Sequence, residues 1–200
     1  MTDFTTFFFV LICITIFYVY LENKASDVTY VKINKIEYLV RNMPDKEKAA
    51  LLLSKIRYNC TTIVEELYNN KTKYEPEIIN GIKRLHKNFK PDNISESSPG
   101  NSYTSYSINK GEKIVFCLRH KTGKNKDKLM DINTMMFVAI HELGHLMSKS
   151  IGHTTEFWDN MRFLLKGGIS LKLYKHVDYS KHPKDYCGIK ITDTPLTIEK

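Results

Sequence analysis

The chain has 200 residues, 42% of them apolar and 26% charged, with a formal net charge of +8. That length holds one modest domain with a core of its own, and the composition excludes a fibrous, collagen-like or wholly disordered chain. The positive charge is spread over most of the sequence and names no partner by itself.

Phe4 to Leu21 is an apolar run of 18 residues without a charge, lying between Asp3 and Glu22. As a helix it would be about 27 Å long, against about 30 Å of bilayer hydrocarbon, so residues 4–21 are expected to form a transmembrane helix within an anchor over 1–24. A cleaved signal peptide is the alternative, but no basic segment precedes the run and no small-x-small site follows it. Lys24, Lys32 and Lys35 follow the run, whereas only the α-amino group and Asp3 precede it. The positive-inside rule then places the remaining domain, 25–200, in the cytosol. Cys60, Cys117 and Cys187 lie outside the run, an odd count with no C-x-x-C pair, which points to unpaired thiols in a reduced compartment. Sequons at Asn59, Asn70 and Asn93 would matter only in a lumen.

Between Val28 and Val40 the pattern alternates around Asn34-Lys35, which predicts a hairpin. Pro44-Asp45-Lys46-Glu47 is an acidic helix start, and Leu52, Ile56, Ile63 and Leu67 continue an apolar stripe at helical spacing. A second helix is expected from Pro76 to Phe89, with Ile78, Ile82, Leu85 and Phe89 on one face. Residues 90–102, rich in Pro, Ser, Asn and Gly, read as a surface loop. SYTSYSI and EKIVFCL then flank Asn109-Lys110-Gly111, a second hairpin whose latter strand is apolar enough to be buried. The basic stretch Arg119 to Lys128 lacks interleaved aromatic residues and reads as a solvated loop rather than a nucleic-acid patch.

Asp131 is a suitable N-cap for a helix reaching about Lys149, with Met136, Ile140, Leu143 and Met147 on its apolar face. His141-Glu142-Leu143-Gly144-His145 lies on it. Histidines four apart project from one side of a helix and can bind one tetrahedral zinc ion, while Glu142 can reach a zinc-bound water. Such a site takes a third protein ligand. His153, beyond a helix end marked by Gly152, is the preferred one, and Glu156, in the first turn of the next helix, is its competitor or a cap partner. Trp158 and Phe163 read as core on that next helix, and Gly167-Gly168 as its end. Tyr174, Tyr179, Tyr186, His176 and His182 are candidates for oxyanion stabilisation, but packing and surface roles outweigh that reading.

The segment HELGHLMSKSIGHTTEFWDNM resembles the WLM and SprT-like zinc metallopeptidases, which follow HExxH with a GH-x-x-EF segment. YLVRNMPDK, TSYSINKGEKIVFCLR and DYSKHPKDYCGIKI extend the likeness to membrane-anchored WLM-like proteins of large DNA viruses. The spacing departs from many WLM proteases: seven residues separate His145 from His153, where those have fewer. The resemblance implies an α+β, zincin-like domain with a small sheet and His141, His145 and His153 as zinc ligands. It implies Glu142 as general base and a strand, Lys113 to Leu118, lining the cleft for an extended substrate. The expected protein is a zinc metallopeptidase on a viral or host internal membrane, acting on a protein or peptide. The alternative is a catalytically idle zinc-binding scaffold of membrane or virion assembly.

Overall fold

The computed structural model describes residues 2–196, and for residues 2, 3 and 21–25 it describes the backbone only. Helix α1 spans Thr2–Ala25. Its described side chains run from Phe4 to Tyr20, all of them exposed. Among the described residues no helix is long and apolar enough to cross a membrane. This overturns the expected transmembrane anchor, the single-pass localisation and the cytosolic orientation drawn from them. Asp3, Leu21, Glu22 and Lys24, on which the span and its orientation rest, lie outside the residues whose side chains are described.

The rest of the chain is α+β. Strands β1 (Val28–Ile33) and β2 (Ile36–Arg41) form the predicted antiparallel hairpin. Its two turn residues, Asn34 and Lys35, have φ of 48° and 69°, the left-handed pair that a two-residue connection between twisted strands requires. Helix α2 (Lys46–Asn69) buries Leu52, Ile56, Ile63 and Leu67 as expected, and α3 (Pro76–Asn88) opens on a proline whose missing N–H costs the first turn nothing. Strands β4 (Tyr106–Ile108) and β5 (Lys113–Phe116) form the second hairpin.

Residues 90–102 are not wholly a surface loop. Ile94–Glu96 form β3, a buried strand lying parallel between β2 and β5, so that the mixed sheet has the order β1-β2-β3-β5-β4. The polar Glu96 can sit there because its carboxylate is fully engaged: Arg119 Nε lies 2.7 Å away and the Arg41 backbone N–H donates at 2.8 Å. Arg119 is therefore buried at 2% exposure, not solvated, and its second arm pairs with Asp45 at 2.8 Å.

Helix α4 (Ile132–Met147) is the structural centre, packed against α2, α3 and α5 (Thr155–Ser170). Helix α5 runs through Gly167-Gly168 to Ser170 instead of ending there. A Cβ at Gly168 would stand 3.0 Å from Ile140 Cδ1, so the glycine admits close helix packing. Trp158, expected in the core, is 40% exposed, while its neighbour Phe157 is fully buried. The tail forms a small hairpin, β6 (Lys184–Tyr186) and β7 (Ile189–Ile191). A disulfide between Cys117 and Cys187, Cα atoms 6.2 Å apart, fastens that hairpin to the end of β5. This pairing corrects the expectation of unpaired thiols outside the apolar run, leaving Cys60 as a free buried thiol.

Candidate metal centre

The site begins with a helix start. Asp131 accepts a hydrogen bond from the Thr134 backbone N–H at 2.9 Å, which fixes the register of α4. Met136, Ile140, Leu143 and Met147 are buried, and the two histidines one turn apart are left at the less covered face. His141 and His145 bring their Nε2 atoms to 3.2 Å, and His153 Nε2 lies 3.1 Å from His141 Nε2. The three ligand nitrogens lie within 4.8 Å of one another and could hold a metal ion.

Glu156, the competing ligand, is engaged elsewhere. Its carboxylate accepts the backbone N–H groups of Lys149 at 2.8 Å and Ser150 at 2.9 Å, and faces Arg84 at 3.3 Å. Burial raises its pKa, but those N–H donors, the Ser150 hydroxyl and Arg84 outweigh it and bring the carboxyl down to about 2. The same loop is gripped from its other side. Lys110, in the β4–β5 turn, donates to the carbonyls of Ser148, Lys149 and Ser150 at 2.9, 3.2 and 2.7 Å. Arg84 Nε donates to Met147 O at 3.0 Å, which satisfies another carbonyl at the open end of α4. The longer spacing between His145 and His153 is thus taken up by a loop pinned through its amides and its carbonyls, with Gly152 (φ 81°) turning the chain back.

Phe157 forms the floor. Its ring stacks on His145 at 4.3 Å between centroids and meets His141 and His153 edge-on at 4.8 and 4.7 Å. Gly144 is what lets it approach, since a Cβ there would lie 3.1 Å from Phe157 Cε2.

Glu142 is 3% exposed, and burial pushes its carboxyl up to about 7, with a Ser107 hydrogen bond opposing the rise. Burial, then the neighbouring His145 and His153, hold His141 down at about 3; burial, then His153 and Lys110, hold His145 at about 4. Both imidazoles are therefore neutral near pH 7 and keep a lone pair for a ligand. Tyr186 is buried beside Glu142. Burial, against a hydrogen-bonding contact with Ser105 and together with the Glu142 charge, raises its pKa and keeps the phenol protonated.

The histidines and Glu142 open on a cleft of about 600 Å³ whose far wall is Thr104 to Ser107, Asn109 and Lys110. That wall is β4 and its flanks, not the expected Lys113 to Leu118. Strand β5 is paired on both sides, by β3 and β4, and has no edge left for a substrate, whereas β4 ends the sheet. His176 and His182 are exposed and stand outside the histidine cluster; Tyr174 and Tyr179 are buried against Phe137. Sequence reasoning missed Lys110, Arg84, Ser105 and Ser107. A lysine in a turn or a serine in a short strand carries no periodic signal, and only the fold brings them to α4.

Over 193 residues the chain is 36% identical to an uncharacterized protein, R325, of Acanthamoeba polyphaga mimivirus, covering 93% of this chain and 94% of that protein. Uncharacterized protein 136R of Invertebrate iridescent virus 6 is 32% identical over 83 residues, 42% of this chain and 44% of its own length. Uncharacterized protein 042R of Invertebrate iridescent virus 3 is 36% identical over 86 residues, again 42% of this chain and 50% of its own length. No family model matches the chain, and no solved structure matches it.

Proposed function

We propose that this chain, which belongs to the family of the mimivirus protein R325, is a zinc-dependent peptidase of zincin-like, WLM and SprT-related type. The observation that carries the reading is the convergence of the His141, His145 and His153 nitrogens beside a buried glutamate, in a cleft bordered by an open strand edge. Nitrogens about 2.0–2.1 Å from one tetrahedral zinc ion stand about 3.3–3.4 Å apart, near the separations of 3.2 and 3.1 Å seen here. Three imidazoles with a cleft on the fourth side suit a catalytic rather than a closed structural site. Bound there, zinc supplies a Lewis acid that polarises a carbonyl and acidifies water.

The chain's own residues do the rest. An extended peptide adds to the free edge of β4, which holds its backbone across the cleft. Glu142 takes the proton from the attacking water as its oxygen bonds to the carbonyl carbon, then delivers a proton to the amide nitrogen as the C–N bond breaks. Ser107 orients that carboxylate, and the protonated Tyr186, held by Ser105, lies buried beside it. The test is metal content and peptide cleavage of the full chain beside Glu142→Gln and His153→Ala. The expected result is near-stoichiometric zinc in wild type and Glu142→Gln, its loss in His153→Ala, and cleavage by wild type alone. A wild-type protein purified without chelators that holds no zinc would sink the reading. A Glu142→Gln protein with full biological function would leave an idle zinc scaffold in its place.

A further inference from the structure

A second cavity, of about 240 Å³, adjoins the cleft and shares Thr104, Ser105, His141 and Glu142 with it. The two spaces therefore meet at the group assigned to proton transfer. Unlike the cleft, this cavity is apolar: Phe137, Val138 and Met161 form its buried base, and Trp158, Ile189 and Ile191 its more open rim. The rim explains two side chains that the fold leaves otherwise unaccounted for. Trp158, at 40% exposure, and Ile189, at 53%, would each lower its free energy by being covered. The polar groups of the wall are Thr104, Ser105, His141 and Tyr186, with the carboxylates of Glu142 at the junction and of Asp193, which accepts the Thr194 N–H.

We propose that this cavity is a specificity pocket that takes a large apolar side chain, of the Leu, Met or Phe class, from the residue next to the scissile bond. The inference rests on the peptidase reading for the word scissile, and on the shared lining residues for its place beside the reacting carbonyl. A peptide lying along β4 with its carbonyl at the histidines has a neighbouring side chain at the junction, and the cavity is the apolar space open to it. Covering an apolar side chain of that size favours it over glycine by about tenfold in a pocket that stays partly open.

The protein carries its own probe, since Trp158 is its only tryptophan. The full-length Glu142→Gln chain, loaded with zinc, is titrated with blocked alanine-rich peptides that differ at one central position, Leu or Gly, while Trp158 emission is followed. The expected result is a saturable change with the Leu peptide at about tenfold lower concentration than with Gly. Ile189→Asp, a change at an exposed position that leaves the core intact, should bring the Leu to Gly ratio near one. Equal or undetectable binding of the Leu and Gly peptides overturns the proposal, as does a ratio untouched by Ile189→Asp. Cleavage of the same peptides by wild type separates the two readings. Leu preference in binding without any cleavage overturns the peptidase and supports the pocket, while cleavage indifferent to Leu or Gly does the reverse.

Discussion

Glu156→Ala tests how the third ligand is held. Glu156 accepts two backbone N–H groups, at 2.8 and 2.9 Å, from the loop that leads to His153. Hydrogen bonds to a charged acceptor net about 1.5–3 kcal/mol each, but the side chain is 36% exposed, so water takes over part of what the alanine gives up. A loop disorder costing about 2 kcal/mol, which metal binding must then repay, weakens zinc about 30-fold. Lost negative charge near a cation acts in the same direction, so no opposing effect masks the result. Competition against a chelator of known affinity reads the change, and the visible spectrum of the cobalt-substituted protein reads the ligand set. The expected spectrum keeps its intensity, since in the proposed three-histidine site Glu156 positions the loop without ligating. Zinc affinity within threefold of wild type would refute the clamp, and a collapse of the cobalt spectrum would make Glu156 a ligand after all.

Arg119→Met removes the partner of the buried Glu96 and should cost about 3–5 kcal/mol in urea unfolding; a loss under about 1 kcal/mol would mean that Glu96 finds another partner. The Glu156 carboxyl, held at about 2 in the fold against 4.5 ordinarily, gives stability that is fully present above pH 4.5 and is lost as pH falls towards 2. Acid titration of stability should therefore be flatter over that window in Glu156→Gln, and identical slopes would argue against the shift. Gly144→Ala drives a Cβ to 3.1 Å from Phe157 Cε2 and should cost about 1–3 kcal/mol in thermal melts while weakening zinc. Unchanged melting would show that Phe157 can retreat freely.

The parts of this fold that read directly from the sequence are those with local causes. Asn34-Lys35 and Asn109-Lys110-Gly111 are turn chemistry between alternating runs, and Asp131 with His141 and His145 is a cap and a helical spacing. Strand β3 was hidden because Ser95 and Glu96 look like loop residues until Arg119, 23 positions away, neutralises the carboxylate. Cys117 and Cys187, separated by 70 positions, had no spacing to announce their pairing. In the sequence His153 is preferred to Glu156 from its place beyond Gly152, but the engagement of the Glu156 carboxylate by the Lys149 and Ser150 amides arises only once the loop is folded. Trp158 was misplaced because helical periodicity cannot tell a buried Phe157 from the neighbour beside it at a cavity rim.

The placement of β3 also sets a timetable for a chain leaving the ribosome. Hairpin β1–β2 can close as soon as it emerges, but the partner of Leu39 across the open side of β2 is Ser95. Roughly 55 residues must still be made, about 3–11 s at 5–20 residues per second, with that edge unpaired. Exposed edges invite pairing with other chains, and Glu37 and Arg41 put charge of both signs on this one. That edge is thus exposed before His141, His145 and His153 have been made.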